Sequence, residues 1–498
     1  MMMQLPLTDL IVFLAYMLGI VIFGSLFFFK NRDANQFTSG GGNLPAWVVG
    51  MSIFATFVSS ISFLALPGKA YQSDWNAFVF SLSIPIASVL AVLFFVPLYR
   101  NENSISAYAY LEKRFGPWAR TYASICYVLT QLMRTGTILY LMALPLHSLF
   151  GWDITTIIII TGIAVIIYSM LGGIKAVIWT DAIQGIILIG GALTCAIIIM
   201  VKMPEGPSQI IEIAKTNHKM SLGDFSLSIS KSTFWMMLVY GLFINLQNYG
   251  IDQNYVQRYM TTSTMREAKR SALFGSLLYV PVSLLFFFIG TALFAYYKSS
   301  PGMLPAELLS LDAADKVFPY FIVNELPKGL TGLLIASVFA AGMSTISTSV
   351  NGSATIALTD YYQRYFNPSA SNKQSMRVLY LSSLIFGVLG ILIAIAMIGA
   401  KSALDTWWKL ASIFSGGMLG LFLLGFMARK ARNINAAIGV VVGVLVILWM
   451  SLSPIYFNAG RWISFKSPFH ANLTIVIGTS VIFLVGFLLS LKKHKEKP

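Results

Sequence analysis

Charge is what this sequence has least of. Only 11% of its 498 residues are Asp, Glu, Lys or Arg, against roughly 25% in soluble globular domains. Hydrophobic residues make up 57%, and the mean hydropathy is +0.75. So little charge cannot cover a water-facing surface. Cysteine is scarce too. Cys126 and Cys195 both lie in apolar runs, which excludes a disulfide framework and a thiolate metal centre and leaves them as small core residues. The four histidines, His147, His218, His470 and His494, stand far apart without zinc or catalytic spacing. The sequence has no Gly-rich phosphate loop and no nucleophile motif. It also lacks the ~10-residue alternation of apolar and polar residues that marks barrel strands. Nucleotide hydrolysis, metal chemistry and a β-barrel are all disfavoured.

What is present is one long apolar run after another. A helix needs ~20 residues to cross a bilayer, and inside lipid every backbone polar group must find an internal partner, so such runs must be helical. The pattern predicts an all-α polytopic membrane protein with thirteen spans: 7–29, 44–65, 79–98, 117–149, 154–171, 180–201, 233–257, 270–297, 330–359, 375–399, 405–428, 436–452 and 472–491. The first run lacks a basic leader and a small-residue cleavage site, so it is expected to stay as a helix. The longest loops, 202–232 and 298–328, leave no room for an appended soluble domain, and the tail after Leu491 is too short for a signalling module.

An odd number of spans puts the termini on opposite sides. With the N-terminus outside, the inner segments hold the larger share of the 34 Lys and Arg residues, including Arg100, Arg114, Arg120, Arg258 and Arg364. Positive residues favour the cytoplasmic side. The net charge of +15 is then a topology signal spread over short loops, and a nucleic-acid partner is not expected.

Functional residues should lie where a span breaks the rules of its solvent. The second span carries Thr56, Ser59, Ser60 and Ser62 close together, and the seventh carries Asn245, Gln247, Asn248, Gly250 and Asp252. Hydroxyls can rescue backbone groups at a helix interruption, although they also serve as interhelical glue. Two interrupted helices five spans apart suggest inverted repeats with a site near the midplane. In the ninth span, Ser344, Ser347 and Thr348 fall at i, i+3 and i+4 on one helical face, beside Thr345. Such a row of oxygens suits a small hard cation. Asp181 either adds the negative charge or serves as a helix cap at the membrane edge. Arg134 sits deep in the fourth span. It either snorkels to the interface or faces a wet cavity, where its planar fork would bind a carboxylate.

At this point two segments, 168–184 (Tyr-Ser-Met-Leu-Gly-Gly-Ile-Lys-Ala-Val-Ile-Trp-Thr-Asp-Ala-Ile-Gln) and 332–353 through Ala340-Ala341-Gly342-Met343-Ser344-Thr345, resemble the sodium:solute symporter family. The resemblance covers nearly the whole chain. It implies a single transporter domain with a leucine-transporter-like fold of two five-helix inverted repeats. These would run over 44–201 and 233–428, after an extra N-terminal helix and before two C-terminal helices at 436–491. It also implies alternating access and sodium as coupling ion. A first sodium site would use the carbonyls of Ala55, Val58 and Ala341 with the hydroxyls of Ser344 and Thr345. A second would use Asp181, Ser344, Ser347 and Thr348. Within the family, Arg134 with Gln131 and the Ser59-Ser60-Ile61-Ser62 stretch look most like the bacterial sialic acid branch, in which the arginine binds the sugar carboxylate. The expected substrate-binding residues are Arg134, Ser59, Ser60, Ser62, Phe57, Ser81, Gln131 and Asn245. Phe57 and Ser81 depart from the residues that branch can carry at these positions.

The sequence thus predicts a symporter that draws an anionic sugar acid, sialic acid (N-acetylneuraminate) first, into a bacterial cell with two-sodium coupling. No obligate protein partner is evident. The alternatives are a family member for another solute (a sugar, proline or a vitamin carboxylate) or, from another class, a channel or receptor. The topology has a direct test. A cysteine added after Lys497 should resist a membrane-impermeant maleimide applied to intact cells and react after permeabilisation; labelling from outside would reverse the orientation.

Overall fold

The computed structural model describes residues 6–27, 33–102, 104–310, 313–398, 416–457 and 460–491. Every regular element among them is a helix. In chain order the main ones are α1 (Leu7–Ser25), α2 (Ala34–Ser39), α3 (Ala46–Phe57), α4 (Ser60–Gln72), α5 (Asn76–Glu102), α6 (Ala109–Phe115), α7 (Pro117–Phe150), α8 (Ile154–Lys202), α9 (Ser208–Thr216), α10 (Phe234–Ile251), α11 (Gln253–Tyr259), α12 (Met265–Ser299), α13 (Ala314–Asn324), α14 (Leu330–Phe366), α15 (Asn372–Ala396), α16 (Met418–Met427), α17 (Asn433–Tyr456) and α18 (Leu473–Leu491).

Nine of the described helices are long and apolar enough to cross a membrane, or ten with the bent pair α3–α4 counted as one span. The thirteen expected spans are not matched one for one, for identifiable reasons. α8 contains two of them, 154–171 and 180–201. Its 49 residues would measure ~73 Å as one straight helix, over twice the ~30 Å hydrocarbon core. Gly173 interrupts it with φ 57° and ψ −162°. A Cβ at Gly173 would lie 2.9 Å from the carbonyl of Phe37, so glycine alone fits this conformation and this contact. Span 233–257 closes as a helix at Ile251, and the first part of span 405–428 lies outside the described residues. The two long loops are not structureless either: they carry α9 and α13.

The bundle is organised around α14, 94% of whose most apolar stretch is buried. Its small residues allow that. A Cβ on Gly342 would collide with the Met142 sulfur, and one on Gly352 would fall 2.5 Å from Asn254 Oδ1. Small residues let helix backbones approach closely where lipid offers no hydrophobic drive for association. By contrast less than half of the most apolar stretch of α1, α15, α17 and α18 is buried, with Leu14, Leu18, Leu381, Leu392, Leu445 and Leu488 facing outward, as a lipid-facing ring requires.

A buried carboxylate fastens α1 to the core. Asp9 is buried, and its Oδ1 accepts the backbone N–H groups of Gly329 and Gly332, each at 2.7 Å. The carboxylate therefore caps the start of α14 from another helix, where free N–H groups and the helix dipole favour a negative charge. Asp9→Ala should cost about 0.5–2 kcal/mol, the usual cost of a lost N-cap, and Asp9→Asn less. A detergent melt in which Asp9→Ala keeps the wild-type midpoint would show that the contact contributes nothing.

Candidate functional site

Two helices break inside the bundle, both where polar residues cluster. α3 ends at Phe57. Val58 (φ −77°, ψ 117°) and Ser59 (φ −110°, ψ 171°) are extended, and the chain resumes at a bend of 54°. α10 ends at Ile251, Asp252 is extended (φ −74°, ψ 127°), and α11 follows at once. A helix that stops leaves its last carbonyls without intrahelical donors. At the first break these belong to Ala55, Thr56 and Phe57, with the extended Val58 beside them. At the second, the Asp252 side chain restarts the helix by accepting the Asn254 N–H at 2.8 Å.

Arg134 lies near the middle of α7 and reaches the first break: its Nη2 donates to the Thr56 carbonyl at 3.2 Å. The guanidinium takes part in no ion pair within 4.0 Å among the described residues. Gln131, one turn earlier, links to the second break, with Nε2 3.2 Å from Asp252 Oδ2 and Oε1 accepting from Ser349 Oγ at 2.8 Å. Asp252 also lies within electrostatic reach of Arg134. Residues on α7 thus touch both broken helices and α14. Phe57 stacks on Tyr249 (centroids 5.4 Å apart, 14° between planes) and meets Tyr279 edge-on at 4.5 Å, which gives the first break an aromatic wall.

The other expected substrate residues are spread along neighbouring helices. Ser59 is buried at the break itself, and Ser62 is partly buried just beyond it. The side chain of Ser60 lies outside what the structure describes. Ser81 pairs with Ser283 at 2.8 Å. Asn245 donates to Ser83 Oγ at 3.0 Å and to the Phe80 carbonyl at 3.3 Å. Its Oδ1 is buried without a partner among the described residues, a cost a protein tolerates where a ligand or water completes the bond.

The hydroxyl row of α14 is wholly buried. Ser344 Oγ donates to Asp181 Oδ1 at 2.7 Å. Thr345 Oγ1 donates to the Ala341 carbonyl at 3.1 Å, and Ser347 Oγ to the Ser344 carbonyl at 3.0 Å. Thr348 Oγ1 lies 3.5 Å from Thr56 Oγ1, which joins the row to the first break. Donating to a carbonyl leaves a hydroxyl oxygen its lone pairs, so these groups can still serve a hard cation. Asp181 is not a cap at the membrane edge. It is fully buried and sits within the second arm of α8, facing α14.

Arg258 is the residue that the sequence reading placed wrongly. It was counted with the basic inner loops, but it is fully buried on α11. Its Nη2 lies 2.8 Å from Asp181 Oδ2 and 2.6 Å from Thr348 Oγ1, Nε donates to Ser52 Oγ at 2.7 Å, and Nη1 to the Asn254 carbonyl at 2.6 Å. Ser52 Oγ in turn donates to Asp181 Oδ2 at 2.6 Å. Removing one partner of such a buried pair costs about 3–5 kcal/mol. The signal that could have found Arg258 was the matched pair of breaks. If span 7 is interrupted like span 2, the stretch after Asp252 remains inside the bundle and takes Arg258 with it.

Known proteins resemble this chain over most of its length. The family model described as the sodium:solute symporter family matches residues 37–443. A relative named sodium/sialic acid symporter SiaT, from Proteus mirabilis (strain HI4320), is 35% identical over 441 residues, covering 88% of each chain. Another, sodium/sialic acid symporter NanT from Aliivibrio fischeri (strain ATCC 700601 / ES114), is 32% identical over 480 residues, covering 95% of this chain and 91% of the relative. A solved structure, described as the substrate-bound outward-open state of a Na+-coupled sialic acid symporter, superposes with a TM-score of 0.90 at 32% identity, covering 98% of both chains.

Proposed function

The chain belongs to the sodium:solute symporter family, and from that membership we propose that it carries a sialic acid-type sugar acid into a bacterial cell together with sodium. It is a multi-pass membrane transporter with a leucine-transporter-like fold, its coupling ion is sodium, and it is not an enzyme. The proposal also takes residues 44–201 and 233–428 as the two inverted repeats, with the N-terminus outside and the C-terminus in the cytoplasm of a plasma membrane.

Arg134 carries the substrate assignment. A guanidinium at mid-span is expensive, and here it donates to a backbone carbonyl at a broken helix and has no ion pair within 4.0 Å among the described residues. A solute carboxylate can supply what the protein leaves out, two parallel charge-assisted bonds to the planar fork. Phe57, Tyr249 and Tyr279 would bound the sugar on its apolar side, and Ser59, Ser62 and Gln131 would meet its hydroxyls. Neutral solutes gain nothing from Arg134, which argues against the sugar and proline readings.

The first sodium site is assigned to the carbonyls of Ala55, Val58 and Ala341 with Ser344 and Thr345. This site joins the end of α3 to α14, so an ion there favours whichever state brings the two together. A ligand shifts a conformational equilibrium only through its difference in affinity for the two states. The second site is assigned to Asp181, Ser344, Ser347 and Thr348.

Two measurements test the assignment. Arg134→Ala should weaken sialic acid binding by at least a hundredfold, from two charge-assisted bonds of about 1.5–3 kcal/mol each, with sodium binding kept. An analogue with its carboxylate reduced to an alcohol should bind wild type poorly and lose little more in Arg134→Ala. Equal binding of acid and alcohol to wild type would make Arg134 structural. Thr345→Ala should raise the sodium concentration for half-maximal uptake roughly tenfold or more, the equivalent of one lost oxygen contact of about 1.5 kcal/mol. An unchanged sodium dependence would move the first site elsewhere.

A further inference from the structure

The second sodium site already holds a positive group. Arg258 Nη2 lies within hydrogen-bond distance of both Asp181 Oδ2 and Thr348 Oγ1, two of the four residues assigned to that ion. A third, Ser344, uses its hydroxyl proton on the same carboxylate. We propose that the Arg258 guanidinium is the resident cation of the second site, and that sodium enters the site only as the guanidinium withdraws. This inference rests on the second-site assignment made above.

The reason is charge. Asp181 and Arg258 together are neutral, and both are fully buried. A sodium ion added beside them would leave a net positive charge in a low-dielectric interior, with two cations competing for one carboxylate. Buried charges persist only when paired. Thr348 adds a steric count, since the oxygen that sodium would use accepts the Nη2 proton at 2.6 Å. One ion or the other can be fully coordinated, so the site behaves as an exchanger between a tethered cation and a free one.

The tether is placed to make that exchange conformational. Arg258 rides on α11, the short helix that follows the Asp252 break. Its other anchors are Asn254 on the same helix and Ser52 on α3, the element before the first break. Asp181 and Thr348 belong to α8 and α14. A small tilt of α11 and α3 relative to α8 and α14 would draw the guanidinium off the carboxylate and leave Asp181 open to an ion. Sodium at the second site would then report, and stabilise, the state in which the broken helices have moved.

The test uses purified full-length protein and sodium alone, read by radiolabelled sodium binding and by thermal shift against choline at equal ionic strength. Arg258→Gln removes the competitor and should bind sodium at the Asp181 site at least tenfold more tightly than wild type. Its melt should rise more steeply with sodium than that of wild type. Arg258→Lys, which keeps a tethered charge, should stay near wild type. The double variant Asp181→Asn with Arg258→Gln should fold and retain only the first-site sodium component. A folded Arg258→Gln whose sodium affinity is unchanged or weaker would overturn the exchange. So would failure of Arg258→Gln to fold even in high sodium, because the ion should replace the missing cation. If Asp181→Asn alone leaves the wild-type sodium titration intact, the second-site assignment itself falls, and the exchange with it. That result is separate from one in which Asp181→Asn loses a sodium component while Arg258→Gln gains nothing.

Discussion

A backbone carbonyl inside a membrane cannot be left without a partner, and the organisation of this protein follows from the two places where it breaks that rule. Stopping α3 at Phe57 and α10 at Ile251 frees polar backbone groups deep in the bundle. The chain answers with side chains from other helices. Arg134 takes the Thr56 carbonyl, Asp252 caps the helix that follows it, and Gln131 joins the second break to α14. What the protein itself does not fill is left for ions and solute. The breaks are thus both the main structural expense and the origin of the binding groups.

Charge is rationed by the same logic. Arg258 and Asp181 meet at full burial, while Arg134, close to the field of Asp252, stands without an ion pair among the described residues. One cation is matched and the other is available. An anionic solute suits the available one, and the hydroxyl row lies against the matched pair, whose guanidinium occupies Thr348. Away from the membrane interior, charges form ordinary networks, such as Arg120 with Glu112 and Asp360. There Arg120 joins the partly exposed Glu112 to the buried Asp360.

Much of the site could be read from residue order, and the reasons are local. The hydroxyl row of 344, 347 and 348 follows from helical periodicity alone. Arg134 stands out because nothing near it in its own span is charged, and the weak points at 56–62 and 245–252 show as polar clusters in otherwise apolar runs. Arg258 escaped because hydropathy scores a basic residue after a span as the start of a loop. The expected seventh span stops at 257, and only the extension of α11 to Tyr259 keeps Arg258 inside. Asp181 stayed ambiguous because a carboxylate near a predicted helix start reads as a cap. The structure begins that arm of α8 just after Gly173, several residues earlier, and so moves Asp181 into the helix.

The sequence by itself determined that this is a helical membrane protein, where two of its helices are interrupted, and which oxygens and which guanidinium stand inside apolar spans. These follow from composition and period, which act along the chain. The tertiary structure decided which of these groups meet. It set Arg134 on Thr56 across 78 positions of sequence and Ser344 on Asp181 across 163. It also turned Arg258 from a loop charge into the partner of Asp181 and Thr348. Pairing of that kind depends on how helices pack around the small residues of α14, and no local pattern encodes the distance between two side chains that only packing brings together.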